Sequence, residues 1–192
     1  LVVGVSIFDD YGISYDEPES RRFGMLNVQY VLKGDRQLFY DREKYHGPAF
    51  EMVLLALEKG FGLTDSRDIY LMRHGVTFLL FYVSVVCFYL LCKERFRDWR
   101  IGLLGTVFLI LSPRIFADSF YNSKDLAFLS VFTISIFTLV KYLDHQTWLR
   151  AFLHAFVCGF LIGIRILGIL VPCFTFLFLI GDAISEAKSA AR

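Results

Sequence analysis

Gly75-Val-Thr-Phe-Leu-Leu-Phe-Tyr-Val-Ser-Val-Val-Cys-Phe-Tyr-Leu-Leu-Cys92 decides what kind of protein this is. It carries no charge, and only Thr77 and Ser84 interrupt its apolar run. A helix needs about 20 mostly apolar residues to cross a bilayer core, and this stretch comes close to that length. Three more apolar blocks follow it: 101–116, 126–140 and 151–180. The last is broken by Gly159, Gly163, Arg165, Gly168 and Pro172, so two short helices turning near Arg165 fit it better than one straight rod. Residues 1–8 form an apolar stub too short to span, which reads as the exit end of a first transmembrane helix. The chain therefore reads as the N-terminal part of a longer protein, cut at both ends, with residues 9–74 forming a long loop.

Composition agrees with this class. Hydrophobic residues make up 56% and aromatics 17% of the chain, with mean hydropathy +0.53, too apolar for an ordinary soluble domain. A net charge of +1 and the absence of any long basic tract give no nucleic-acid signature. Cys87, Cys92, Cys158 and Cys173 all lie in apolar runs without a CxxC, so they read as small hydrophobes rather than a disulfide set or a zinc site. The expected fold is all-α: a polytopic transmembrane helical bundle with an extracytoplasmic loop that carries amphipathic interfacial helices.

The short loops set the orientation. Lys93-Glu-Arg-Phe-Arg-Asp-Trp-Arg100 holds four basic residues between two spans, which places it in the cytoplasm by the positive-inside rule. Parity then puts residues 141–150 on the same side, and residues 9–73 and 113–125 together on the outer one. Within the long loop, Phe50, Val53, Leu54 and Leu57 trace a narrow apolar helical stripe with Glu51, Glu58 and Lys59 off it. A weaker stripe runs through Phe23, Leu26, Tyr30 and Val31.

Three polar stretches on that outer side could carry chemistry. The first is Ile13-Ser-Tyr-Asp-Glu-Pro-Glu-Ser-Arg-Arg-Phe23. Its Asp16-Glu17 pair stands at the mouth of a bilayer, where a carboxylate must stay wet, become paired, or do chemistry. The pair also reads as a helix start, with Asp16 as N-cap, Pro18 in the first turn and Glu19 at N3. The second stretch is Tyr45-His-Gly-Pro-Ala-Phe50, in which His46 could donate to a phosphate or shuttle a proton. The third runs from Ser112 to Asp125 and crowds Arg114, Asp118, Asn122, Lys124 and Asp125 beside hydrocarbon. Asn122 to Asp125 also suits a capping box. Arg165, inside an apolar block, wants a carboxylate, carbonyls or a phosphate.

An acidic pair after the first span resembles the hallmark of the GT-C glycosyltransferase superfamily, and the closer likeness is to its protein O-mannosyltransferase and aminoarabinose transferase branch. Members follow the pair with a His- or Lys-Pro-Pro-like element before an amphipathic helix, matched by His46-Gly47-Pro48 except that Gly47 stands where proline is usual. A second acidic position opens a later span, as in Lys124-Asp125-Leu-Ala-Phe128, and a Gly-rich span with a basic residue follows, as around Arg165.

The resemblance implies an extracytoplasmic or lumenal active site in a plasma (inner) or ER membrane. There a sugar would pass from a polyprenyl-phosphate donor to a protein, lipid or glycan acceptor by one inverting displacement. Asp16 is then the base or acceptor-orienting group, with Glu17 and Asp125 supporting the acceptor or the charge developing on the sugar. His46, Arg114, Lys124 and Arg165 would stabilise the phosphate leaving group. No cofactor is required, although Asp16, Glu17 and Asp125 could hold a divalent ion. A transporter or lipid flippase would also use an intramembrane arginine and broken helices, and a non-enzymatic membrane subunit would account for the hydrophobicity alone.

Overall fold

The computed structural model describes residues 1–190. The described chain is helical: α1 (Val2–Ile7), α2 (Glu17–Lys33), α3 (Ala49–Gly60), α4 (Ser66–Phe96), α5 (Trp99–Ile110), α6 (Pro113–Tyr121), α7 (Asp125–Asp144), α8 (Trp148–Ile164) and α9 (Leu170–Ala190). Short polar side chains set several helix starts. Asp65 Oδ1 accepts from the Arg67 amide (2.8 Å) ahead of α4, and Asp98 Oδ1 from the Arg100 amide (2.8 Å) ahead of α5. Gly34 ends α2 in the left-handed region (φ 70°), where a residue without Cβ is favoured.

Ser66–Phe96, Asp125–Asp144 and Ile166–Ser189 are long and apolar enough to cross a membrane. The bent pair α5 and α6 would make a fourth span if it crosses as one. Residues 101–116 are not one straight element, because the chain turns by 69° between α5 and α6, where Ser112-Pro113 cannot continue the α5 ladder. The last apolar block breaks at Arg165, whose extended backbone (φ −149°, ψ 138°) ends α8 and leads into a 3-10 turn, Ile166–Ile169, before α9. α4 starts nine residues ahead of the apolar run, so Arg73 and His74 sit inside a helix and not in a loop.

Two apolar cores hold the bundle. One joins Phe50 and Leu54 of α3 to Val131 of α7, Leu161 of α8 and Val171 of α9. The other packs Phe78 and Phe81 of α4 against Phe120 of α6 and Leu126 of α7. An aromatic column crosses this second core: Tyr11 stacks on Phe120 (4.4 Å) and Phe120 on Phe78 (4.9 Å). It pins the segment after α1 to α4 and α6, five residues ahead of Asp16.

The loop helices pack differently from the expected stripes. On α3 the buried face is Phe50, Glu51, Leu54, Leu55 and Glu58, while Val53 is exposed. Both glutamates turn inward because each finds an arginine. Arg21 makes a two-point pair with Glu58 (Nε and Nη2, both 2.8 Å), and Arg73 Nη2 reaches Glu51 Oε2 at 2.5 Å. On α2, Phe23, Gly24 and Asn27 are buried, whereas Tyr30 and Val31 are exposed. α3 packs on α2, α4 and α8, and so rests on the bundle.

Candidate active site

At one end of the bundle the turn before α2 faces the turn before α7 across a polar cleft of about 120 Å³, lined by Ser14, Asp16, Glu17, Asn122, Lys124 and Asp125 among others. Four of the seven residues singled out from sequence therefore meet in one place. A third segment, the one leading into α3, closes on this place as well, since Lys124 Nζ donates to Glu43 Oε2 at 2.9 Å.

Asp16 occupies the N-cap position of α2 without capping it. Its backbone is already helical (φ −85°, ψ −18°), and its side chain accepts no bond from the first-turn amides. A capping carboxylate needs extended backbone to fold back over those amides. Glu19 does not close a capping box either; it accepts from Arg22 Nε at 3.0 Å. The exposed Asp16 carboxylate thus has no hydrogen bond or ion pair among the described residues, while its carbonyl takes both the Ser20 amide (2.9 Å) and the Ser20 hydroxyl (2.9 Å).

Glu17 points the other way. It is 3% exposed; Oε1 lies 2.8 Å from His74 Nε2, and Oε2 accepts from the Ser14 amide at 2.7 Å. Glu17 and His74 are thereby joined by a buried hydrogen bond. The acidic pair is divided in role: one carboxylate is free in the cleft and the other is locked beneath it.

On the facing wall, Asn122 Oδ1 accepts from the Asp125 amide (2.8 Å), and the Asn122 side-chain amide lies 3.4 Å from Asp125 Oδ2. Half of the expected capping box is present. Asp125 also pairs with Arg165, which answers the demand of an arginine in an apolar block: the helix breaks there, and its guanidinium reaches a carboxylate at the cleft. His46 Nδ1 stands 3.2 Å from Glu43, so His46, Glu43 and Lys124 form a chain leading into the cleft. Hydrogen bonding to the Lys124 ammonium holds the Glu43 carboxyl below its ordinary value. Arg114 does not join the group. Its side chain is 92% exposed at the start of α6, and its one ion-pair partner among the described residues is Asp118, at 3.8 Å.

Gly47 has a structural reason. A Cβ built there would lie 2.2 Å from the carbonyl oxygen of Gly163 and 2.6 Å from that of Ile164. The chain carrying His46 passes so close to the end of α8 that only a hydrogen fits. Among the described residues no group of three His, Cys, Asp or Glu side chains could hold a metal ion. Asp16, Glu17 and Asp125 line the same cleft, but Glu17 is turned to His74 and Asp125 to Arg165.

Sequence reading missed Glu43, Glu51, Arg73, His74 and Ser123. The Ser123 hydroxyl donates to Glu51 Oε1, while Arg73 holds the other oxygen of Glu51. Arg73 and His74 are 2% and 1% exposed. The available signal was two adjacent basic residues entering an uncharged run of helix, where unpaired charge is costly.

Fold and cleft together define a helical integral membrane protein with a polar, acid-bearing site at one end of its bundle. A comparison with protein families matches residues 66–190, about two thirds of the chain, to the dolichyl-phosphate-mannose-protein mannosyltransferases. The chain belongs to this family of GT-C membrane glycosyltransferases. The matched region holds Arg73, His74, Arg114, Lys124, Asp125 and Arg165, while Asp16, Glu17 and His46 precede it. Comparisons with curated proteins and with solved structures found no match.

Proposed function

We propose that this protein transfers mannose from a polyprenyl-phosphate donor to a hydroxyl acceptor on a protein, at the extracytoplasmic or lumenal face of its membrane. The observation that carries this reading is the unpartnered Asp16 carboxylate, facing the Asp125–Arg165 pair across a polar cleft at the end of an apolar bundle. Asp16 is the group free to take the acceptor proton as the hydroxyl attacks the anomeric carbon, or to orient that hydroxyl. Attack from the side opposite the phosphate inverts the anomeric centre.

The leaving phosphate needs cations that it can recruit. Arg165 is half-exposed, and a phosphate approaching along the membrane would compete with Asp125 for it. Lys124 and His46, each held by Glu43, stand next in line, and Arg114 would have to swing in from α6. Immediately after Arg165, Ile166 and Leu167 are exposed, an apolar rim suited to the first isoprene units of the donor. Asp125, released from Arg165, would then face the positive charge developing on the sugar. Glu17 supports the site from beneath.

The reading is tested by incubating the full-length protein with radiolabelled polyprenyl-phosphate mannose and a Ser/Thr-rich acceptor peptide. Label should move to the peptide. Transfer to lipid or glycan with none to peptide would reassign the acceptor, and donor flipping without transfer would favour the transporter class.

A further inference from the structure

Arg73 and His74 are neighbours on α4, and each holds a different wall of the cleft. His74 fixes Glu17, whose second oxygen closes the turn back to Ser14 and so sets the segment that displays Asp16. Arg73 fixes Glu51, whose second oxygen takes the hydroxyl of Ser123, the residue before Lys124 and Asp125. Glu17, Glu51, Arg73 and His74 are all at most 4% exposed, and Ser123 is 7% exposed. Each link is single. Arg73 Nε and Nη1 and His74 Nδ1 have no hydrogen-bond partner among the described residues, so neither side chain has a second polar contact to keep its position if its carboxylate is lost.

Buried ion pairs are a poor route to stability, because apolar packing of the same volume often serves as well or better. Their arrangement makes sense as geometry. Asp16 and Asp125 come from loops far apart in sequence, and transfer requires them to be held at a fixed separation about the reacting carbon. We propose that Arg73-His74 is a brace that sets the spacing of Asp16 and Asp125, with His74 and Glu51 acting as positioning residues that touch neither donor nor acceptor. The proposal rests on the cleft being the transfer site, and it adds to that reading the element that calibrates it.

The experiment uses the full-length protein in a cysteine-free background, with spin labels on Tyr15→Cys, the residue before Asp16, and Asp118→Cys, whose carbonyl takes the Asn122 amide of the facing wall; turnover is measured on the same variants without the label cysteines. His74→Leu should broaden the label–label distance distribution and lower kcat on the order of 10²-fold, leaving the donor KM unchanged. His74→Gln keeps an N–H donor for Glu17 and should restore both the narrow distribution and most of the turnover. If His74→Leu proves too unstable to measure, Ser123→Ala, which removes one hydroxyl, should broaden the distribution and reduce kcat several-fold. An unchanged distribution in His74→Leu or Ser123→Ala would overturn the brace. So would equal loss of turnover in the Leu and Gln variants with distances intact, since the imidazole itself would then be part of the chemistry. Should the wild-type protein transfer no mannose while the labels respond as described, the functional reading fails and the brace stands.

Discussion

Replacing Asp16 by Asn separates chemistry from folding more cleanly than any other change here. The side chain is exposed, caps no amide and makes no ion pair, so nothing in the fold depends on its charge. Asn matches its size and leaves untouched the carbonyl that receives both Ser20 bonds. Stability should therefore shift by no more than about 0.5 kcal/mol, as for surface changes remote from structural features. Loss of a positioned base typically costs about 10²–10⁴-fold in rate. At about 1.36 kcal/mol per tenfold, that raises the barrier by roughly 2.7–5.4 kcal/mol. The two magnitudes differ enough for one experiment to tell them apart: mannose transfer in detergent micelles, with thermal unfolding and donor retention measured on the same preparation. Glu17→Gln is the contrasting control. It disturbs a buried bond to His74, so it should lower the melting temperature as well as the rate, in keeping with about 1–3 kcal/mol for a compromised buried partner. If Asp16→Asn turned over near the wild-type rate at equal abundance, Asp16 would not be the base, and the cleft would lose its chemical centre.

Four further outcomes are expected. Arg165→Leu should raise the donor KM by roughly tenfold, equivalent to about 1.4 kcal/mol of lost phosphate binding; full retention of donor affinity would leave Arg165 as a structural partner of Asp125 alone. Gly47→Ala should destabilise the protein by about 1–3 kcal/mol or more through collision with the Gly163 and Ile164 carbonyls, and an unchanged thermal melt would contradict that close approach. Glu43 is held below its ordinary value by Lys124 and Glu58 by Arg21, so their contribution is complete above the unfolded value near 4.5 and is lost as pH falls through the lower folded values. Melting temperature measured across acid pH should fall below about pH 4.5, and Glu43→Gln with Glu58→Gln should flatten that fall. Single cysteines at Lys33 and Asn122 should react with an impermeant thiol reagent in intact cells, or in sealed compartments from the lumenal side. One at Arg97 should react only after permeabilisation, and the opposite pattern would put the cleft in the cytoplasm.

Local chemistry made the membrane-spanning class, the helix-breaking role of Arg165 and the two acidic corners legible from the sequence alone. An uncharged run of bilayer length has few other fates, and an arginine flanked by glycines in an apolar block must find a partner or a bend. The demand for a carboxylate, carbonyls or a phosphate near Arg165 followed from those residues, but the choice among them, Asp125, did not. Helical periodicity failed on α3 because it assigns charge to the outside. Glu51 and Glu58 are buried by arginines 22 and 37 positions away along the chain, and no local pattern contains that information. The division of the acidic pair was equally invisible, since Asp16 and Glu17 are chemically alike and only the placement of His74 beneath one of them makes the other free. The sequence thus specified which residues could carry charge into a membrane protein's interior. The tertiary structure alone decided which of those charges are spent on one another and which remain available to a substrate, because pairing depends on distances that only the packed helices establish.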